Sequence, residues 1–249
     1  MDLLEKTSRM RMFAGPNGSG KSTMKSVVKP SLLGFYINPD EIEAEIAEYG
    51  FLDFNRFGIA SDKTEILNFF QTSTLLEKAD LVDEAERLKF NDNKLDFFEV
   101  SVNAYFASVA ADFIRQKLLL LGQSFTFETV MSSPDKVSLL EKACGRGYRT
   151  YLYYVATDDP IINVSRVKYR VKTGGHDVPI DKITSRYYRS LDSLSEAIKF
   201  TNRAYIFDNS GSSLLWLAEI TDAKSIELKT ENVTDWFKKY VLDKFEFKS

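Results

Sequence analysis

Apolar and polar positions along this chain follow two periods, and they alternate. Residues 9–14 (RMRMFA) and 149–156 (RTYLYYVA) read as strands, the second the clearer. Short strand patterns recur at 34–38, 124–128 and 204–207, and a terminal pair falls at 214–220 and 225–228. Between them lie helical stretches. Residues 21–28 hold neither Gly nor Pro and stop before Pro30. Pro39 opens the next helix, with Asp40, Glu41 and Glu43 at its positive end. Residues 96–121 predict a long amphipathic helix stopped at Gly122, and Ser133 is placed to cap a helix over 133–144. Further helices are predicted at 158–172, 180–202 and 233–245.

Strands alternating with helices imply an α/β fold with a mainly parallel, doubly wound sheet. Residues 49–96 are charged and helical in composition, so they read as a helical insert within one domain spanning residues 1–249. Ligands of such sheets bind at the carboxyl ends of the strands. Attention therefore falls on Asn38-Pro39-Asp40, Glu128-Thr129, Thr157-Asp158 and Asp208-Asn209-Ser210.

One loop changes the picture. Gly15-Pro16-Asn17-Gly18-Ser19-Gly20-Lys21-Ser22-Thr23 fits G-x-x-x-x-G-K-[ST] at every fixed position. Chance supplies such a match in about one of a hundred chains this long. Strand, glycine loop and helix form a phosphate cradle of backbone N–H groups. The pattern assigns Lys21 to the β- and γ-phosphates and the Ser22 hydroxyl to Mg²⁺. ATP and Mg²⁺ are the implied cofactors.

Asp40, at a strand end, could take a proton from a substrate hydroxyl or hold Mg²⁺ through water; an acidic first-turn residue suits a helix start equally well. Glu128 could bind a sugar hydroxyl or a metal, or face solvent. Residues 166–189 carry Arg166, Lys168, Arg170, Lys172, Lys182, Arg186 and Arg189 around a Gly174-Gly175 turn. Beside a P-loop this basic stretch, about 158–190, reads as a mobile lid closing on phosphates. Arg166 and Arg170, four apart, share a helix face. His176, the one histidine, either touches substrate or orders that turn.

The totals exclude some classes. Lys plus Arg number 33 against 36 Asp plus Glu, a net charge of −3, so no global attraction to nucleic acid is expected. The lone Cys144 rules out an intrachain disulfide and a cysteine-based metal site. No apolar run reaches the ~18 residues of a membrane span, and cytosolic residence is the expectation. Apolar residues at 44%, with 19 Phe and 12 Tyr, are enough to fill a core.

In order along the chain, FAGPNGSGKST, INPDEI, FETVMSS, RVKYRVKTGGHDVP with RYYRSL, and FDNS resemble the zeta-toxin-like family of P-loop kinases, in its predicted-ATPase branch. The resemblance implies a three-layer P-loop kinase fold and ATP-dependent phosphorylation of a UDP-activated amino sugar such as UDP-N-acetylglucosamine. It implies Asp40 as general base, Glu128 as a substrate contact with Thr129, Ser132 and His176 in the same role, and Arg166 and Arg170 as phosphate-stabilising arginines. It also implies a possible antitoxin partner. Two other classes stay open on sequence: a nucleotide-switch ATPase using Asp208 for Mg²⁺, and a polynucleotide kinase.

Overall fold

The structure, a computed structural model, describes residues 7–173 and 177–246. Its strands are β1 (Arg9–Ala14), β2 (Phe35–Ile37), β3 (Phe51–Asp53), β4 (Lys89–Asn91), β5 (Lys94–Asp96), β6 (Phe125–Thr129), β7 (Arg149–Ala156), β8 (Arg203–Asp208), β9 (Leu215–Thr221) and β10 (Ser225–Leu228). The chain forms two compact units, one drawn from Met1–Leu33 and Thr126–Ser249, the other Gly34–Phe125.

The first unit holds six of the seven strands of the mostly parallel main sheet, in the order β10-β9-β8-β7-β1-β6. β7 runs parallel to both β1 and β8, while β9 and β10 return antiparallel. Central parallel strands are buried on both faces, hence the near-continuous apolar runs in β1 and β7. Met10, Met12, Phe13, Leu152, Tyr154, Val155 and Ala156 are all buried. Register sets Ala14 beside Tyr154 and Ala156 beside Asp208. The carboxyl ends of β1, β7 and β8 therefore converge where the P-loop begins.

Predicted helices shorten or divide for local reasons. Residues 21–28 form a 3-10 turn, Lys21–Thr23, then one α turn, Met24–Val27, because Lys29 before Pro30 is held extended. The stretch 180–202 divides into Ile180–Asp192 and Leu194–Lys199, where Ser193 Oγ donates back to Arg189 O at 2.8 Å. Ser133 does occupy the N-cap of Pro134–Gly145, but its hydroxyl makes no capping bond.

The second unit is wider than the expected 49–96 insert, and it is not all helix. β3, β5 and β4 make an antiparallel sheet. Its β4–β5 hairpin turns on Asp92 and Asn93, at φ 49° and 58°, the left-handed pair of a type I′ turn. The long helix starts late, at Ala104, because the Asn103 carboxamide accepts the N–H groups of Tyr105 and Phe106. Phe54, Phe70, Phe97, Phe106 and Phe113 fill this unit's core, with Phe54–Phe113 centroids 5.5 Å apart at 72°. Phe70→Ala is expected to cost about 3–5 kcal/mol. Equilibrium denaturation checks this; an unchanged midpoint would mean that the unit can collapse around the void.

Candidate active site

The P-loop leaves β1 through a contact that only glycine permits. Gly15 has φ +146°, and a Cβ there would lie 2.0 Å from Val155 O on β7. Ser19 N–H then closes a turn on Pro16 O at 3.2 Å. Lys21 Nζ donates to Gly15 O and Pro16 O, each at 3.0 Å, and so crosses the loop it belongs to. Thr23 Oγ1 donates to Gly20 O at 2.6 Å, while Ser22 is exposed. With only one α turn behind it, the cradle relies on loop amides more than on a helix dipole. Asn17 Oδ1 and Ser19 Oγ are buried without a hydrogen-bond partner.

Two asparagines hold the loop from outside. Asn209, after β8, donates its backbone N–H to Ala156 O at 2.8 Å and its Nδ2 to Ser19 O at 2.7 Å. Asn163, fully buried in the helix Pro160–Lys172, donates Nδ2 to Asn17 O at 2.6 Å and accepts from Thr157 Oγ1. Tyr187 Oη donates to Thr157 O. Arg166 lies one turn beyond Asn163, half-buried; Nη2 reaches Gly211 O at 3.5 Å, and Nη1 is buried without a partner.

Asp208, at the end of β8, is buried and bonded to its neighbours. Its carboxylate accepts the Ser210 N–H at 2.8 Å, the Ser210 hydroxyl at 2.9 Å and Trp236 Nε1 at 2.8 Å. Burial, with the Asp208 charge second, raises the Asp158 carboxyl above its ordinary value. Among the described residues no group of three or more His, Cys, Asp or Glu side chains is placed to hold a metal ion.

Glu128, Thr129 and Ser132 are half-buried at the end of β6. Thr129 Oγ1 accepts the N–H of Met131, a buried residue in the left-handed region at φ 54°. That conformation costs a non-glycine residue about 1–2 kcal/mol, so packing holds this turn. Asp40 belongs to the second unit, exposed in the first turn of Pro39–Tyr49, its N–H bound to Asn38 Oδ1 at 2.9 Å. His176, with Gly174 and Gly175, lies outside the described residues.

The basic stretch expected as a lid over about 158–190 forms the two helices Pro160–Lys172 and Ile180–Asp192. Both of its helices are seated on the first unit through Asn163, Val167, Ile183, Tyr187 and Leu191. Ser190 Oγ donates to Val130 O at 2.7 Å and lies 3.0 Å from Tyr154 Oη. Lys168, Arg170, Lys172, Lys182 and Arg189 nevertheless present an exposed basic surface. Sequence reasoning flagged Thr157 and Asn209 only as parts of strand ends and missed Asn163 and Tyr187. The available signal for Asn163 was a polar residue four before Val167, on the buried stripe.

The first unit is thus a mostly parallel α/β sheet of P-loop kinase type. Residues 99–221 match the family described as zeta toxin, so the likeness to zeta-toxin-like P-loop kinases holds over that stretch. The solved PezAT chromosomal toxin-antitoxin system of Streptococcus pneumoniae superposes with a TM-score of 0.52 at 16% identity, over 96% of this chain and 80% of that one. An AvrRxo1-ORF1:AvrRxo1-ORF2 complex with sulphate ions gives 0.54 at 12%, over 90% and 62%. At these identities the likeness is one of fold. An uncharacterized protein of Haemophilus influenzae is 32% identical over 63 residues, 25% of this chain and 45% of its own length. The chain thus spans less than two thirds of the H. influenzae and AvrRxo1 chains.

Gly15→Ala would drive a methyl group into the Val155 carbonyl and should abolish nucleotide binding in a protein that still melts cooperatively; calorimetric titration with ATP reads it. Asp158 gives a pH test. A carboxyl raised in the fold contributes stability below its unfolded value of 3.8 and loses it as pH rises. Asp158→Asn should therefore melt higher than wild type at pH 7, with the gap closing toward pH 4. A pH-independent gap would remove this account.

Proposed function

We propose that this protein is an ATP-dependent phosphotransferase that moves a γ-phosphate to a hydroxyl of a small molecule. The observation that carries the reading is the P-loop itself, fixed at the carboxyl ends of β1, β7 and β8. Three buried polar atoms beside it, Asn17 Oδ1, Ser19 Oγ and Arg166 Nη1, have no hydrogen-bond partner in the protein. Buried polar groups of this kind are normally satisfied; Ser19 Oγ and Arg166 Nη1 can donate to an anionic ligand, while Asn17 Oδ1 can only accept, from a hydroxyl. A solved AvrRxo1-ORF1:-ORF2 complex contains ATP, which supports the same nucleotide here.

Lys21 would exchange its two carbonyl bonds for phosphate oxygens, and Arg166 would neutralise charge on the transferring group, with Arg170 beside it. Ser22, exposed at the loop end, is the residue for Mg²⁺; one hydroxyl plus phosphate oxygens suits that ion, which needs no carboxylate cage. ATP with Mg²⁺ supplies an activated phosphoryl group. Asp40 is the proposed general base, and Glu128, Thr129, Ser132 and His176 the proposed acceptor contacts. The acceptor we propose is a UDP-activated amino sugar of the UDP-N-acetylglucosamine type. An antitoxin partner is part of the proposal, supported by the likeness to the PezAT toxin-antitoxin system and by the family match.

Incubation with ATP, Mg²⁺ and a panel of UDP-sugars should yield a species heavier by one phosphate in the mass spectrum; ADP with no phosphorylated product would overturn the kinase reading. Asp40→Ala should keep ATP affinity within about twofold and lower transfer by about 10²–10⁴. Unchanged transfer removes Asp40 as base.

A further inference from the structure

We infer that Asn163 and Asn209 are positioning residues of the phosphate-binding loop, a two-point carboxamide clamp that sets the direction of its amides. The inference rests on the reading of that loop as the ATP site. A trans peptide is planar, with its C=O and N–H on opposite sides. Asn163 holds the Asn17 carbonyl at 2.6 Å, so the N–H of Gly18 points away from Asn163. Asn209 holds the Ser19 carbonyl at 2.7 Å, so the N–H of Gly20 points away from Asn209. Alternate peptides of the loop are fixed, and both pinned peptides end in glycine.

Each clamp residue is itself held. Thr157 Oγ1 donates to Asn163 Oδ1, which leaves the amide nitrogen as the end that faces the loop. Asn209 is tied to β7 through its own N–H. The fit leaves no slack: a Cβ on Gly18 would lie 2.6 Å from Asn163 O, and one on Gly20 would lie 2.4 Å from Asn209 Nδ2. Asn163 also precedes Arg166 by three residues on one helix, so the bond that fixes the loop also fixes the register of that arginine.

Asparagine is required because the clamp must donate. Aspartate has the same shape and only accepts. In the full-length chain, Asn163→Asp and Asn209→Asp should speed amide hydrogen exchange across residues 15–23 about tenfold without nucleotide, with exchange in β1 and β7 unchanged. ATP affinity should fall about tenfold in each, and further in the double variant. A merely structural role would instead raise exchange throughout the sheet. Folded variants with wild-type exchange over 15–23 overturn the clamp. Should an aspartate variant not fold, Asn163→Ser and Asn209→Ser carry the same measurement. Failure of the wild type to bind ATP would sink the kinase reading, while the exchange result alone still decides whether the asparagines order the loop.

Discussion

The molecule depends on the approach of the Gly15 backbone to the Val155 carbonyl. It forces the chain leaving β1 to turn over the ends of β7 and β8 rather than continue outward. No side chain fits there, so the position is glycine for steric reasons before any ligand is considered. Everything polar near the loop is arranged around that turn. Asn209 reaches it from β8, Asn163 from the following helix, and Lys21 closes it from within. A side chain–backbone hydrogen bond contributes only about 1 kcal/mol net, so no one of these bonds holds the loop alone. Their value lies in direction, since each fixes a different peptide.

Acidic strand ends divide by environment. Asp208 accepts three hydrogen bonds and anchors Trp236 and Ser210, which makes it part of the frame. Asp40, exposed at a helix start, keeps its carboxylate accessible. Two aspartates in similar sequence settings thus differ both in burial and in hydrogen-bond partners. The basic helices show a related division. Their apolar and hydroxyl positions tie them to the sheet through Tyr187, Ser190 and Ile183, while Lys168, Arg170, Lys172, Lys182 and Arg189 are exposed.

Much of the first unit was legible because its signals are local. Continuous apolar strands, a glycine loop of fixed spacing and Pro-initiated helices at Pro134 and Pro160 all act within a few residues. The second unit was read poorly for the opposite reason. Its strands are three residues each, and their pairing depends on a two-residue turn at Asp92-Asn93 without glycine. Charged composition masked an aromatic core whose members are spread from Phe54 to Phe113.

By itself the sequence determined the phosphate-binding loop, the α/β alternation and the family likeness, since each rests on residue type and spacing. Tertiary structure alone decided which polar residues serve that loop. Asn17 and Asn163 are 146 residues apart, and Ser19 and Asn209 are 190 apart. No local pattern links them. They meet because parallel β1, β7 and β8 bring their carboxyl ends to the same side of the sheet, which is a property of the sheet and not of any segment within it.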